Sequence, residues 1–373
     1  MSLYQKLHKK LTGLYEDCHV MYRKRHRRRL CSTDLVKKQH HMTALDGAQR
    51  DEVIAFWQPY KDVAKEMRWF EFYNSFCSDK SRLKYYVPDS IMYLDIDLAL
   101  TDPTRSHQLD DKNLYDLYFK GAKLPRAVVR KCNGVILDSD YQPLTIGQAL
   151  ELCRRETRII KKPSRNSQGG KGIHILDLSA VTDDELSKHL SDPTDYIIQE
   201  VLSQHESINR IYDQSINTVR IMSLLLDDTI YLLSSVLRMG KDGSHVDNAS
   251  KGGIVCGINA DGTLKEYAYN TKGEQWSQHP QGPVFKGHKI EGYDKCCALV
   301  KSLAGRFCTT SKLVSWDLAI DKDGDPVVIE VNLSFGEVDF HQMCNGPIFG
   351  DLTERVLTEI FKSPHKQGKS SFY

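Results

Sequence analysis

Leu313-Val314-Ser315-Trp316-Asp317-Leu318-Ala319-Ile320, then Asp321-Lys322-Asp323-Gly324-Asp325, then Pro326-Val327-Val328-Ile329-Glu330-Val331-Asn332, reads as two apolar, β-branched runs joined by a turn. Asp323-Gly324 is a strong two-residue hairpin signal. With those residues as the turn, Lys322 pairs with Asp325. Counting outward, Asp317 then pairs with Glu330 and Ser315 with Asn332. Opposed residues share a face of the sheet, and so do residues two apart on one strand. The count therefore predicts one polar patch, Ser315, Asp317, Glu330 and Asn332, on an otherwise apolar ribbon. Like charges directly opposed destabilise a sheet, and a bound cation reverses that sign. Two carboxylates and an amide oxygen are hard ligands that suit Mg²⁺ held together with phosphates. Asp317, Glu330 and Asn332 are thus candidate metal ligands. Removing one opposed charge is expected to raise stability when no metal is present. The alternative reading is a solvent-facing acidic face on an edge hairpin.

Outward from this hairpin, composition sets the broad class. A chain of 373 residues is long enough for two or three domains with buried cores. A net charge of +2 makes no global case for nucleic acid. No apolar run approaches the ~18 residues of a membrane span, and the N-terminus lacks a signal-peptide core. Ten cysteines are scattered without a C-x-x-C pair. That argues against a zinc ribbon or a disulfide framework and for reduced thiols in a cytoplasmic protein.

Residues 1–84 read as a helical, partly basic region, with an amphipathic pattern running from Asp51 through Tyr73. The basic run Arg23-Lys24-Arg25-His26-Arg27-Arg28-Arg29 has the charge to touch phosphates or an anionic surface weakly. A solvated helix face or a flexible arm accounts for it equally simply, and no nucleic-acid module accompanies it. Residues 85–152 are mixed α/β. Asp110-Asp111-Lys112-Asn113 opens a helix that stops near Gly121. From about residue 155 strands dominate, with a helix predicted from Asp183 to Leu190 and a last helix near Leu352 to Phe361. Hairpins with interspersed helices point to α+β layers rather than a doubly wound sheet.

Lys162-Pro163-Ser164-Arg165-Asn166-Ser167-Gln168-Gly169-Gly170-Lys171-Gly172 lies between two predicted strands. It is neither a Walker loop nor a Rossmann fingerprint. Its small residues nevertheless let backbone N–H groups approach anionic oxygens, and Ser164, Ser167, Lys171 and Lys162 add donors and charge. A surface hairpin loop is the bland alternative.

In company these motifs resemble the ATP-grasp superfamily: Lys162-Pro163-Ser164 with its glycine-rich loop, a strand ending Gln199-Glu200-Val201-Leu202, and Asp317 with Glu330-Val331-Asn332. Asp111-Lys112, Gly121 and Pro125 look like the family's pre-loop element. Gln204-His205, Asn217-Thr218-Val219-Arg220, Arg238-Met239-Gly240 and Asp247-Asn248 through Gly253 resemble the sugar-transfer-associated ATP-grasp proteins. The resemblance implies an ATP-grasp fold, two α+β subdomains clasping ATP. A lid subdomain would span 153–205 and a catalytic subdomain 206–373.

By that resemblance Lys112 and Lys162 contact ATP phosphates, with Ser164. The loop around Gly169, Gly170 and Lys171 closes over them. Glu200, Val201 and Leu202 hold adenine at the hinge, with His205 near the ribose. Asp317, Glu330 and Asn332 bind Mg²⁺, and Gly336 faces a developing oxyanion. The D-alanine–D-alanine ligases carry an arginine two residues before the metal-binding Asp, where this chain has Ser315. Arg220 and Arg238 are the candidates to supply that positive charge, or else they form a structural ion pair.

The function implied is an ATP- and Mg²⁺-dependent carboxylate–amine ligase acting through an acyl phosphate. Its small-molecule substrates are expected to be sugar-linked, in cell-surface polysaccharide or capsule biosynthesis. A kinase on the same scaffold is the alternative. The absence of a Ser-His-Asp or Cys-His signature fits both, because positioning and charge neutralisation carry phosphoryl transfer.

Overall fold

The structure is a computed structural model that describes residues 3–165, 170–307 and 309–362. Its strands, in chain order, are β1 (Ala127–Cys132), β2 (Val135–Leu137), β3 (Arg158–Pro163), β4 (His174–Asp177), β5 (Tyr196–Glu200), β6 (Thr218–Leu226), β7 (Thr229–Met239), β8 (Ile254–Ile258), β9 (Leu264–Tyr269), β10 (Gln275–Trp276), β11 (Leu313–Ile320) and β12 (Pro326–Asn332). They form a five-stranded sheet, β2-β1-β5-β3-β4, and a seven-stranded sheet, β10-β9-β8-β7-β6-β11-β12. The named strand pairs in both are antiparallel. This is the α+β arrangement that the hairpin pattern predicts.

The small sheet is covered by helices Ile146–Arg154 and Asp183–Leu190. Thr145 with Gln148, and Thr182 with Glu185, form reciprocal capping boxes that satisfy first-turn donors. Ala149, Cys153, Leu186 and Leu190 on these helices bury against Val129, Ile159 and Ile198 of the strands. β3 and β4 pair antiparallel at one edge of this sheet.

The large sheet is buried on both faces, which is why β6 and β11 read as nearly continuous apolar runs. Val314, Trp316, Leu318 and Ile320 face helix Tyr293–Ala304. Met222, Leu224 and Val236 face the N-terminal helices and helix Val338–Asn345. Those N-terminal helices are α1 (Leu3–Lys37), α2 (Gly47–Trp57) and α3 (Met67–Asn74). The amphipathic pattern across 51–73 therefore divides into two helices, with Pro59 just past the Gln58 C-cap where the first one ends. Trp57, Trp69, Phe70 and Phe72 share one core with the sheet, so the first hundred residues and the strands bury a common apolar surface.

The hairpin pairs Asp317 with Glu330 and Ser315 with Asn332, as the sequence predicts. It reaches that register by another route. Asp321 donates its N–H to Asp325 O at 3.0 Å, so the loop is the three residues Lys322-Asp323-Gly324 rather than two. Gly324 adopts φ +77°, the left-handed position that three-residue hairpin loops reserve for glycine. Ile320 consequently pairs with Pro326 instead of Val327. A bulge between Leu318/Val328 and Asp317/Glu330 restores the count. Both departures shift the count by one residue, in opposite directions.

Candidate active site

Ser315 and Asp317 lie on the face of the large sheet opposite Trp316 and Leu318, and cross-strand pairing places Arg220 of β6 directly beside Asp317. Arg238 of β7 is the next strand's contribution. Further along the same face the N-terminal helices cover the sheet. Where that cover ends, a cavity of about 940 Å³ opens, and residues from both sheets and from α1 line it.

Asp317 is buried, and both of its carboxylate oxygens are bonded. Arg220 grips it with two parallel bonds, Nε to Oδ1 and Nη2 to Oδ2, each 2.6 Å. Arg238 Nη1 reaches Oδ2 at 3.1 Å, and Asn332 Nδ2 lies 3.4 Å from the same oxygen. Burial alone would raise this carboxyl's pKa; the two guanidinium groups overcome that and hold it below the ordinary value. Arg220 also bonds Glu337, which lies in the cavity wall. The opposed carboxylates thus already have cations of the protein's own, since Lys112 Nζ sits 2.7 Å from Glu330 Oε1. Arg220 and Arg238 bring two guanidinium groups from β6 and β7 to Asp317, on the sheet face that Ser315 shares. Ser315 Oγ is buried without a hydrogen-bond partner.

Lys162, at the end of β3, lines the cavity from the small sheet. Among the described residues it makes no ion pair. Burial, and then repulsion from Lys112, lower its pKa to about 8. Lys112 donates its backbone N–H to Ser164 O at 2.9 Å, which ties the pre-loop turn to the end of β3. Asp111 reinforces this by capping Asn113 and pairing with Arg165 at 2.9 Å. Gly170 lines the cavity with φ +70°. Asp247 lines it too, accepting from Thr218 and standing 3.9 Å from Arg238.

The turn after β12 is held from the N-terminal side. A helical stretch runs Asp89–Ile91, passes through a π-turn at Met92–Ile96 and finishes at Asp97–Leu100. Asp97 accepts from Phe335 N–H at 3.0 Å, and Tyr93 OH accepts from Val338 N–H at 3.0 Å. Phe335 and Glu337 both take left-handed backbone, φ 58° and 55°, on either side of Gly336. Such strain persists only where the surroundings over-determine it, and it concentrates at functional turns. A side chain at Gly336 would press on Met222 Cε at 3.0 Å and Ser315 Cβ at 3.1 Å. His341, beneath the arginine pair, is buried and held neutral, its pKa pushed down to about 3 by burial and by Arg220.

The cavity collects Lys112, Lys162, Gly170, Arg220, Arg238, Asp317, Glu330 and Asn332 from the sequence reading. Other candidates stand outside it. Ser164 is buried, and Lys171 is exposed. Glu200 accepts the Arg126 N–H at 3.0 Å. Val201 and Leu202 are half-buried, and His205 caps the short helix Glu206–Asn209. Gly336 lies between two wall residues, and Gly169 and Ser167 fall outside the described residues. Sequence reasoning missed Glu337, Asp89, Tyr93 and the wall that α1 supplies. The basic run lies within α1, where Arg25, Arg28 and Arg29 are exposed but Arg27 stacks 3.7 Å from the Phe335 ring. The four-residue spacing Asp89, Tyr93, Asp97 is the one signal that marks a shared helical face.

The donors fit Mg²⁺ held together with phosphate. Among the described residues, Glu330 Oε2 and Asn332 Oδ1 carry no hydrogen bond, and Asp317 Oδ1 accepts only one of the two it can take. Among the described residues no three His, Cys, Asp or Glu side chains gather as ligands. The protein therefore offers part of a shell, which substrate oxygens and water would complete.

No curated protein sequence matches this chain significantly. Similar solved structures include D-alanyl-alanine synthetase A from Vibrio cholerae, at 12% identity and TM-score 0.41 over 71% of this chain and 68% of that one. An L-amino acid ligase from Bacillus licheniformis matches at 15% identity and TM-score 0.41 over 68% of this chain and 48% of that one. A D-alanine–D-alanine ligase from Bacillus anthracis matches at 14% identity and TM-score 0.38 over 70% and 69%. This chain thus spans about half the length of the L-amino acid ligase. A family model described as sugar-transfer associated ATP-grasp matches residues 98–357, a stretch that contains every one of the cavity's lysine, arginine and carboxylate groups from Lys112 to Glu337. The chain belongs to the sugar-transfer associated ATP-grasp family.

Proposed function

We propose that this protein is an ATP- and Mg²⁺-dependent carboxylate–amine ligase that works through an acyl phosphate. The observation that carries the reading is the convergence of four cations, Lys112, Lys162, Arg220 and Arg238, on Asp317, Glu330 and Asn332 in one cavity. Such an array can neutralise a triphosphate and the charge that shifts as its terminal phosphoryl group moves. Mg²⁺ held by Glu330, Asn332 and Asp317 would supply Lewis-acid neutralisation of the phosphate oxygens.

A substrate carboxylate oxygen attacks the γ-phosphorus, and the bond to the β-bridging oxygen breaks as ADP leaves. The amine nitrogen then attacks the acyl carbon, and phosphate departs with the C–O electron pair as nitrogen loses a proton. Lys112 and Lys162 hold the phosphates, and the loop through Gly169, Gly170 and Lys171 closes over them. Glu200, Val201, Leu202 and His205, on the segment joining β5 to β6, take the adenosine end. The Gly336 N–H serves the oxyanion. A carboxylate nucleophile needs no base, whereas a hydroxyl acceptor does. Asp317, committed to two arginines, is a poor base, which favours a ligase over a kinase. The family's sugar-transfer association supports a sugar-linked substrate in cell-surface polysaccharide or glycoconjugate assembly.

The test is ADP release with MgATP across sugar acids and amino acids, each with and without an amine. A ligase sustains ADP release over many turnovers only when both are present, and Lys162→Ala abolishes it. A stable phosphorylated product formed without amine refutes the ligase reading.

A further inference from the structure

The cavity has a second end, walled by α1 and the helical stretch from Asp89, where Arg27, Cys31, Asp34, Asp89, Tyr93 and Phe335 face inward. All but Phe335 precede the residues that the family model matches. Nothing in the phosphate-handling half uses them.

Carboxylates crowd one buried ammonium at this end, where Arg27 also lines the cavity. Asp34, Asp89 and Asp339 all bear electrostatically on one buried ammonium, Lys38. Lys38 Nζ lies 2.7 Å from Asp34 Oδ2, 3.0 Å from Thr271 O and 3.1 Å from Asp339 Oδ2. Those three contacts use all three of its N–H donors, so none remains for Asp89. Lys37 adds little, 3.5 Å from Asp34 and mostly exposed. Asp89 is 5% exposed and takes one bond, from the Tyr73 hydroxyl to Oδ1 at 2.7 Å. Among the described residues its Oδ2 has no hydrogen bond, and the side chain borders the cavity. Burial, and then Asp339, push this carboxyl's pKa well above the ordinary value. Lys38 acts against that rise, but its one charge is shared with Asp34 and Asp339, and a cation arriving from the cavity would add to it.

We propose that Asp89 and Asp34 bind the protonated amine of the second substrate at the α1 end of the cavity, with Tyr93 and Cys31 as its walls. That the bound molecule is the second substrate rests on the ligase reading; that an ammonium group binds there does not. Tyr93 packs with its ring centroid 5.0 Å from that of Phe335, so one molecule can reach from this wall toward the strained turn at Gly336.

Saturation-transfer NMR on the full chain tests this with ethanolamine, glycinamide and glucosamine, each against its N-acetyl form. The free amines should bind and the acetylated forms should not. Asp89→Asn should weaken amine binding by about tenfold or more, as expected for losing a charge-assisted bond. Binding of MgADP should stay unchanged. If Asp89→Asn fails to fold, the half-exposed Asp34→Asn carries the same test. Equal binding of amines and N-acetyl forms, no binding of any amine, or wild-type amine affinity in the folded variant overturns the proposal. Amine binding that needs Asp89, in a protein that releases no ADP with any carboxylate, would leave the subsite standing and remove the ligase reading.

Discussion

Asp317→Asn removes one negative charge and almost no volume, so its effect isolates electrostatics. Read from the hairpin alone, the change relieves repulsion from Glu330 and should stabilise the protein without metal. The structure reverses that sign. Glu330 already has Lys112 at 2.7 Å, while Asp317 is the shared counter-charge of two buried guanidinium groups. Without it, Arg220 keeps Glu337, and Arg238 keeps only contacts at 3.9 Å, to Asp247 and Glu337. Breaking a buried pair in this way costs about 3–5 kcal/mol, because the orphaned charge stays buried. At roughly 2 °C per kcal/mol for a large domain, Tm should fall by ~6–10 °C. The measurement is thermal or urea unfolding at pH 7 without nucleotide or Mg²⁺, beside Arg220→Gln and the double variant. The double variant should lose much less than the sum, since both changes break one pair. The loss should also shrink in acid. Asp317's folded pKa lies below its unfolded value, so its stabilisation is present above about pH 4 and disappears as pH falls through the folded value. A Tm for Asp317→Asn equal to or above wild type at pH 7 would refute this reasoning.

Other expectations follow from the same geometry. Lys162, with a pKa near 8, should lose its charge above that pH, so KM for ATP should rise from pH 8 to 9.5; Lys162→Arg should flatten that limb. Asp97 is raised to about 7 by burial, so the folded state holds its proton longer than the unfolded one. Stability should therefore fall between pH ~4 and 7, and Asp97→Asn should remove that slope in urea titrations. Gly336→Ala should lower kcat far more than Tm, because its Cβ meets Met222 Cε and Ser315 Cβ at 3.0–3.1 Å in a turn that is already strained. Gly324→Ala forces an alanine to φ +77° in the hairpin loop and should cost about 1–2 kcal/mol, read as a lower urea midpoint with unchanged KM for ATP.

Much of the frame was legible because periodicity and punctuation are local. The capped helix matches its expected span, Asp183–Leu190. The Asp317–Glu330 pairing was also legible, although the three-residue loop and the bulge at Ile329 each shift the count by one and cancel. A bulge leaves no mark in an apolar run, so that agreement depends on the compensation. What the sequence hid is non-local. No spacing rule joins Arg27 to Phe335, or Asp89 to Asp34, because those meetings depend on how α1 lies across the sheet. The partnership of Arg220 with Asp317 spans 97 positions, and only strand order reveals it. β8, β9 and β10 are short and separated by turn signals, Asn259-Ala260-Asp261-Gly262 and Asn270-Thr271-Lys272-Gly273, which mask them.

The central claim is that a carboxylate is phosphorylated here and then captured by an amine. Hydroxylamine traps an acyl phosphate as a hydroxamate without using an ammonium subsite. Incubating the protein with MgATP, hydroxylamine and a panel of sugar acids and amino acids should give hydroxamate and ADP in equal amounts. That yield should depend on the carboxylate and vanish in Lys162→Ala. ADP and a stable phosphorylated hydroxyl product, with no hydroxamate from any carboxylate in the panel, would contradict the account.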